Sequence, residues 1–489
     1  MAIFLVIVSV LMPAAGALLV KRAGRRGVGV FLALVAALAV GIAFLPETAA
    51  SIWKFAEGLE LLIRTDALSK LFGVLTAVIW LLAGIYAFDY MKGEEEPERF
   101  FRFFMFTLGA MMLLIYAGNF MTFFMGFEAM TLLSMPMVAH EQTSEARAAA
   151  MKYLGFSVFG ASIALIGFFV LNYYGMSTVF TVGGVLDMAK AAGHKDLLLT
   201  IWLIMVIGFG AKAGMFPLHS WLPTAHPVAP SPASAVLSGV ITKCGVLAII
   251  RVTFYLFGAE FIRGTWAQTA AIVLALITVF TGSMMALGEK LIKKRLAYST
   301  VSQVSYVLFG LMLLNKAGFE GAVLQLVFHM LAKNALFMWA GAVIHETGLT
   351  RVDQLRGMGR RMPAAMWGFT LASLSLIGIP PTGGFVSKWS LASGALGFES
   401  WGLGLAGVIV LIISAILTAG YLLPVMAAAF LPGREAYFTP VEKREPHAGM
   451  LAPILILAIL TVILGVIPGI VTNAVAPVTA LLFGGEAGI

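Results

Sequence analysis

GFGAKAGMFPLHSWLPTAHPVAPSPASAVLSGVITKCGVLAIIR, Gly208 to Arg251, has the apolar bulk of two membrane helices, yet each helix carries a lysine, Lys212 and Lys243. Between them lies a loop with five prolines, two histidines (His219 and His226) and no carboxylate. A lysine at the centre of a bilayer costs about 2.5–3.5 kcal/mol on insertion scales, so its presence points to function before packing.

Outward from this stretch, the whole chain reads as a polytopic membrane protein. Of its 489 residues, 60% are hydrophobic and 11% charged, with a mean hydropathy of +0.97. Soluble domains do not have this balance. A helical span takes about 20 apolar residues. Fourteen segments qualify, roughly 2–20, 27–45, 67–90, 102–118, 119–139, 150–171, 197–216, 233–256, 267–287, 298–314, 321–345, 364–396, 402–430 and 449–467. The segment 468–485 is too short and interrupted for a fifteenth. The expected fold is therefore an all-α membrane protein. Spans one to three, residues 1–101, carry no mid-span charge and read as peripheral. The mixed stretch with Trp53, Glu57, Glu60 and Arg64 reads as a short structured external loop.

The net charge of +8 suggests nucleic acid until its distribution is considered. With the N-terminus outside and the spans alternating, twenty of the 32 Lys and Arg fall in cytoplasmic loops, eight on the other side and four inside spans. That is the positive-inside bias, and it predicts both termini outside a cytoplasmic membrane. The basic cluster Lys21–Arg26 follows the first apolar run, which is not the order of a cleaved signal peptide. The acidic run KGEEEPERFFR, Lys92 to Arg102, reads as a solvated loop. The single cysteine, Cys244, leaves no internal disulfide and no multi-cysteine metal site. There is no GxGxxG after a strand, no Walker loop and no HExxH, so no cofactor and no catalytic centre is expected in this chain.

The four mid-span cations are Lys212, Lys243, Lys333 and Lys388, and the one mid-span carboxylate is Glu128. An unpaired buried carboxylate takes up a proton, so Glu128 calls for a cation, and Lys212 is the candidate. Pro217 breaks span seven five residues after Lys212. Span twelve repeats the device in IGIPPTGGFVSKW, with Pro380-Pro381, Gly383-Gly384 and Lys388 in the second half-helix. IGFGAKAG (207–214) aligns locally with IGIPPTGG (377–384). Paired interrupted helices in corresponding halves mark an inverted-repeat transporter, and irregular backbone at membrane depth lines watery cavities. Span eleven sets Gln325, His329, Lys333 and Phe337 four residues apart, which puts a polar stripe on one face of an apolar helix.

Three long motifs, FPLHSWLPTAHPVAPSPASAVLSGVITKCG, KKRLAYSTVSQVSY and HMLAKNALF, occur in this order. They resemble those of the antiporter-like membrane subunits shared by respiratory complex I, membrane-bound hydrogenases and formate hydrogenlyases, and Mrp-type cation/proton antiporters. The resemblance implies two inverted five-helix repeats, 102–256 and 267–430, each with a discontinuous helix, followed by a last span and tail, 449–489. By matching motif it implies relay roles for Glu128, Lys212, Lys243, His329, Lys333 and Lys388. Gln325 stands where many members carry a histidine, and Gln303 where some do. The absence of a long lateral C-terminal helix implies the shorter, D/M/N-like branch.

The resulting expectation is a proton-translocating subunit of a redox-driven complex. His226 and His219, in the proline-rich loop, extend the relay. Partners would be other antiporter-like and small membrane subunits, with iron–sulfur or hydrogenase-like peripheral subunits. The alternative is a subunit of a Na⁺/H⁺ antiporter complex without redox chemistry. A structural spacer that has lost transport is the third reading, and the retained mid-span charges count against it.

Overall fold

A computed structural model describes residues 1–56, 59–433 and 442–484. Glu57 and positions 434–441 of the loop 432–449 lie outside the described residues, as do the last five of the C-terminal segment 449–489. Helices dominate, because in hydrocarbon every backbone N–H and C=O must be satisfied within its own segment. Helix α1 (Ala2–Ala43) leaves helical geometry at Gly24 (φ 59°, ψ −168°), so it holds both of the first two expected spans. It is followed by α2 (Ala67–Tyr90), α3 (Pro97–Ile115), α4 (Phe120–Val138) and α5 (Ser144–Tyr174). Next come α6 (Lys195–Ala213), the short α7 (Leu222–Val228) and α8 (Ser231–Phe257). The second half contains α9 (Trp266–Gly288), α10 (Ile292–Met312), α11 (Lys316–Thr347), α12 (Pro363–Ile377) and α13 (Gly383–Leu396). The chain closes with α14 (Trp401–Phe430), α15 (Ala448–Val466) and α16 (Gly469–Phe483).

Ten of these helices are long and apolar enough to cross a membrane, and α12 and α16 are shorter apolar helices. Helices α3 and α10 have spanning length, 19 and 21 residues, with more polar sequences.

The fold is not wholly helical. Thr48–Ala56 and Leu59–Thr65 form an antiparallel hairpin, β1 and β2, with Thr48 opposite Thr65 and Lys54 opposite Glu60. This is the stretch expected to be an external loop. Its polar residues do not alternate with apolar ones: Ser51 and Lys54 in β1 lie three apart and Glu60 and Arg64 in β2 four apart, so no period-two strand signal marks it.

Loops gather at two ends. At one, the hairpin meets the turn after α3 (Gly118 N–H to the Leu62 carbonyl, 2.8 Å) and the segment after α5 (Arg64 to the Phe180 carbonyl, 2.5 Å). At the other, Arg99 donates to the His140 carbonyl (2.5 Å), Ile292 to Thr350 (2.9 Å) and Arg444 to Glu346 (3.0 Å). The interior belongs to α8, buried over its whole length, and α11, whose apolar window is 94% buried. Only a third of the corresponding windows of α1, α14 and α15 is buried, which puts them at the rim. Charge on α8 and α11 is therefore charge in the middle of the bundle.

Candidate functional site

Helix α6 ends on Gly214, whose left-handed backbone (φ 84°) turns the chain away. The Trp221 indole donates to the Ala211 carbonyl at 2.8 Å and closes the freed helix end. Pro217 therefore follows the break and prevents the helix from resuming. Lys212, 1% exposed, points back between α4 and α5. Its ammonium donates to Thr131 Oγ1 (2.9 Å), Tyr153 OH (2.8 Å) and Ser157 Oγ (3.1 Å). Three N–H groups thus meet three neutral oxygens.

Glu128 lies one turn before Thr131 on α4, and among the described residues Lys212 is in no ion pair within 4 Å. The two groups are within electrostatic reach of each other. Glu128 is half-buried with one carboxylate oxygen unpartnered, and it shares a helix stripe with the exposed Leu132. The direct Glu128–Lys212 pairing expected from sequence is thus not made in this conformation, because hydroxyls on α4 and α5 occupy the ammonium. Sequence reasoning passes over those hydroxyls, although Tyr153 and Ser157 sit four apart on an apolar helix.

In α8 the segment Leu237–Ile241 widens to a π-helix. Lys243 donates to the Ser238 carbonyl there and to Thr242 Oγ1 (3.2 Å). The expected stripe on α11 is present and buried throughout. Lys333 donates to the Leu296 carbonyl (3.0 Å), and Phe337 stacks on His226 at 4.5 Å. Both ring nitrogens of His329 and of His226 are buried without a protein partner. His329 is within electrostatic reach of Lys243, Lys333 and Lys388.

Helix α12 ends as α6 does, on a left-handed glycine, Gly378 (φ 91°). In each break a proline follows the glycine by three residues, and the Phe216–Pro217 and Pro380–Pro381 bonds are both cis. Gly214 and Gly378 are thus the left-handed glycines of the two breaks, whereas the local alignment of IGFGAKAG with IGIPPTGG sets Gly208 against Gly378. Lys388, arriving from α13, donates to the Leu376 and Ile377 carbonyls at the end of α12. The partial negative charge of a helix C-terminus favours it there. Tyr306 adds a ring face 5.2 Å away.

The approach of α13 to α12 depends on Gly384, where an added Cβ would lie 1.7 Å from the Ser375 carbonyl oxygen. Gly384→Ala should cost about 1–3 kcal/mol. Thermal unfolding should register it, whereas Gly397→Ala, with its nearest neighbour 3.6 Å away, should be silent. A wild-type melting curve for Gly384→Ala would show that the junction is looser than drawn.

Gln325 on the stripe bridges α10 and α13. Gln325 donates to Gln303 Oε1 (2.8 Å) and accepts from Ser387 (2.6 Å), the neighbour of Lys388. Cys244 lies within electrostatic reach of both Lys212 and Lys243. The structure thus sets Lys243, His226, His329, Lys333 and Lys388 within electrostatic reach of their neighbours in this group, with Lys212 on the other side of Cys244. His219 stands apart, stacked on Phe216 at 5.8 Å and near Lys152. Among the described residues no three His, Cys, Asp or Glu side chains are grouped to hold a metal ion.

Arg251, the last residue of the stretch Gly208 to Arg251, is buried. Its guanidinium makes a two-bond ion pair with Asp66, 2.6 and 3.0 Å, at the start of α2. Burial pushes the Asp66 carboxyl up, but Arg251 outweighs it and leaves the group at about 2.

The profile of the family described as NADH:quinone oxidoreductase/Mrp antiporter, TM, matches residues 117–417. The chain belongs to this family. A relative, the N subunit of the NADH-quinone oxidoreductase of Desulforudis audaxviator (strain MP104C), is 32% identical over 488 residues, 95% of each chain. The D subunit of the Na(+)/H(+) antiporter of Bacillus subtilis (strain 168) is 30% identical over 420 residues, 84% of this chain and 81% of that one. In architecture the chain is similar to one in the Mrp complex from Dietzia sp. DQ12-45-1b. The TM-score is 0.85 at 22% identity, over 99% and 97% of the two chains. Membership of the NADH:quinone oxidoreductase/Mrp antiporter family, with these apolar spans, makes the chain a multi-pass, antiporter-like subunit of a membrane complex.

Proposed function

We propose that this chain translocates protons within a multisubunit, redox-driven membrane complex. The relay runs from Lys212, gated by Glu128, through Lys243, His329 and Lys333 to Lys388, with His226 and, more remotely, His219 at its flank. One observation carries the reading: the relay lysines rest on neutral oxygens alone. Arg251, by contrast, is fixed by a carboxylate. A structural cation needs such a partner, since an uncompensated buried charge is costly. A lysine held by hydroxyls and carbonyls can give up its proton without stranding a bare carboxylate, and a carrier needs that property.

The same proposal includes fourteen crossings, with α12 and α13 making one between them. It also includes inverted repeats over 102–256 and 267–430, flanked by 1–101 and 449–489, and both termini outside the cytoplasmic membrane. Other antiporter-like and small membrane subunits would be neighbours, with iron–sulfur or hydrogenase-like subunits as the electron-carrying part. The second reading, Na⁺/H⁺ antiport without redox chemistry, is favoured by the similarity to the Bacillus subtilis antiporter chain. Subunits co-purifying with the chain separate the two, because only the redox reading requires iron–sulfur proteins.

The test of the relay is proton uptake by proteoliposomes of the complex carrying Glu128→Gln. The amide keeps the shape and loses the charge. Uptake should fall by roughly tenfold or more while the complex assembles normally. Wild-type uptake would sink the gate.

A further inference from the structure

Lys290, Lys293, Lys294 and Arg295 are neighbours in sequence, but in the structure they part. Lys294 pairs with Glu289 at 2.9 Å, and Arg295 donates to the Glu289 and Tyr421 carbonyls, both at 2.8 Å. Lys293 alone turns inward. It is 7% exposed, and its ammonium donates to the Ala229 carbonyl at 2.9 Å, just beyond α7, the helix that carries His226.

Lys293 stands between two sets of groups. Towards solvent, the exposed Glu141 and the partly buried Glu94 lie within its electrostatic reach, and Tyr90 of α2 senses both carboxylates. Partial burial raises the Glu141 carboxyl above the ordinary range, although Lys293 pulls it back. Towards the interior, His226 is within reach of Lys293, Lys333 and Lys243, and its two ring nitrogens are unpartnered. One turn further along α10, the Leu296 carbonyl takes the ammonium of Lys333. Lys293 therefore lies within reach of carboxylates on the solvent side and of His226 on the inner side, and His226 within reach of Lys333.

We propose that Lys293 is the proton inlet of the relay, loaded from Glu141 and Glu94 and discharging through His226 to Lys333. This rests on the proton-relay reading given above. In each step one N–H or O–H bond forms as another breaks, so the amine of Lys293 takes a proton from a carboxylic acid and passes it to an imidazole nitrogen. No electrons move and no co-reactant is consumed. Ala229 holds the carrier in place between strokes.

The rival explanation is that Lys293 only caps α7 with a cation, and the Lys293→Arg variant separates the two. An arginine at this position would keep the charge and the donor to Ala229, but a guanidinium does not release its proton in proteins. In proteoliposomes of the whole complex, Lys293→Met and Lys293→Arg should both lower proton uptake by about tenfold or more. Uptake restored in Lys293→Arg, or undiminished in Lys293→Met, overturns the inlet. Glu141→Gln, made together with Glu94→Gln at positions that contribute little to the core, should also slow uptake, most strongly at alkaline pH, where protons are scarce. An unchanged pH profile there overturns the loading step. Lys212→Ala is the parallel control. If it too leaves uptake intact, the relay itself has failed; if it abolishes uptake while the Lys293 variants do not, only the inlet has failed.

Discussion

Lys212→Ala is expected to reduce proton uptake to the leak of the membrane while leaving the complex assembled. A positioned proton carrier contributes roughly 10²–10⁴-fold to the step it serves, so a fall of on the order of 10² is the minimum expected. Stability should change little. The substitution leaves a cavity where the lysine stem ran, but it also removes a cation that had only neutral partners inside the bundle. Two of the three hydroxyls left behind keep other partners, because Tyr153 already bonds Ser134 at 2.6 Å and Thr131 donates to the Phe127 carbonyl at 3.0 Å. Lys212→Arg should be inactive as well, since arginine holds its proton and its planar fork does not match three converging hydroxyls. Uptake measured by a trapped pH dye, beside native electrophoresis for assembly, decides the matter. Wild-type uptake in the alanine variant would remove Lys212 from the relay.

Arg251→Met is expected to have the largest effect on stability, because it leaves the Asp66 carboxylate buried without its cation. Breaking such a pair from one side costs about 3–5 kcal/mol. Asp66→Asn combined with Arg251→Met should recover most of that loss. The double variant strands no charge, and asparagine can still cap α2 as Asp66 does through the Ser69 N–H at 2.8 Å. The pH dependence has a definite sign. The folded-state carboxyl of Asp66 lies below its free value of 3.8, at about 2. Its contribution is therefore complete above about pH 4 and is lost as pH falls through the folded value, towards 2. Thermal unfolding of the purified complex as a function of pH would show this as a destabilisation in wild type that the double variant lacks. Equal acid sensitivity in both would mean the pair is not the group responsible.

Much of this is legible in the amino-acid order. Apolar runs, the breaks near Gly214 and Gly378, and the spans that carry charge are local properties. The cost of a lysine in hydrocarbon and the four-residue spacing of Gln325, His329, Lys333 and Phe337 need no partner to be recognised. The hairpin at Thr48–Thr65 is not legible in the same way, because its polar and apolar residues do not alternate with a period of two.

What each charge touches is not legible. Serine, threonine and tyrosine occur on most of these helices, and only the rotation of α4 and α5 about their axes brings Thr131, Tyr153 and Ser157 to Lys212 ahead of Glu128. Four basic residues between Lys290 and Arg295 are alike in sequence, yet the direction of α10 sends Lys293 inward and its neighbours out. Arg251 finds Asp66 across 185 positions of chain. By itself, then, the sequence determined that buried lysines exist and on which helices, since transfer energy follows residue type. The tertiary structure decided which of them rest on neutral oxygens and which cation is fixed by a carboxylate, because contact depends on how packed helices are turned.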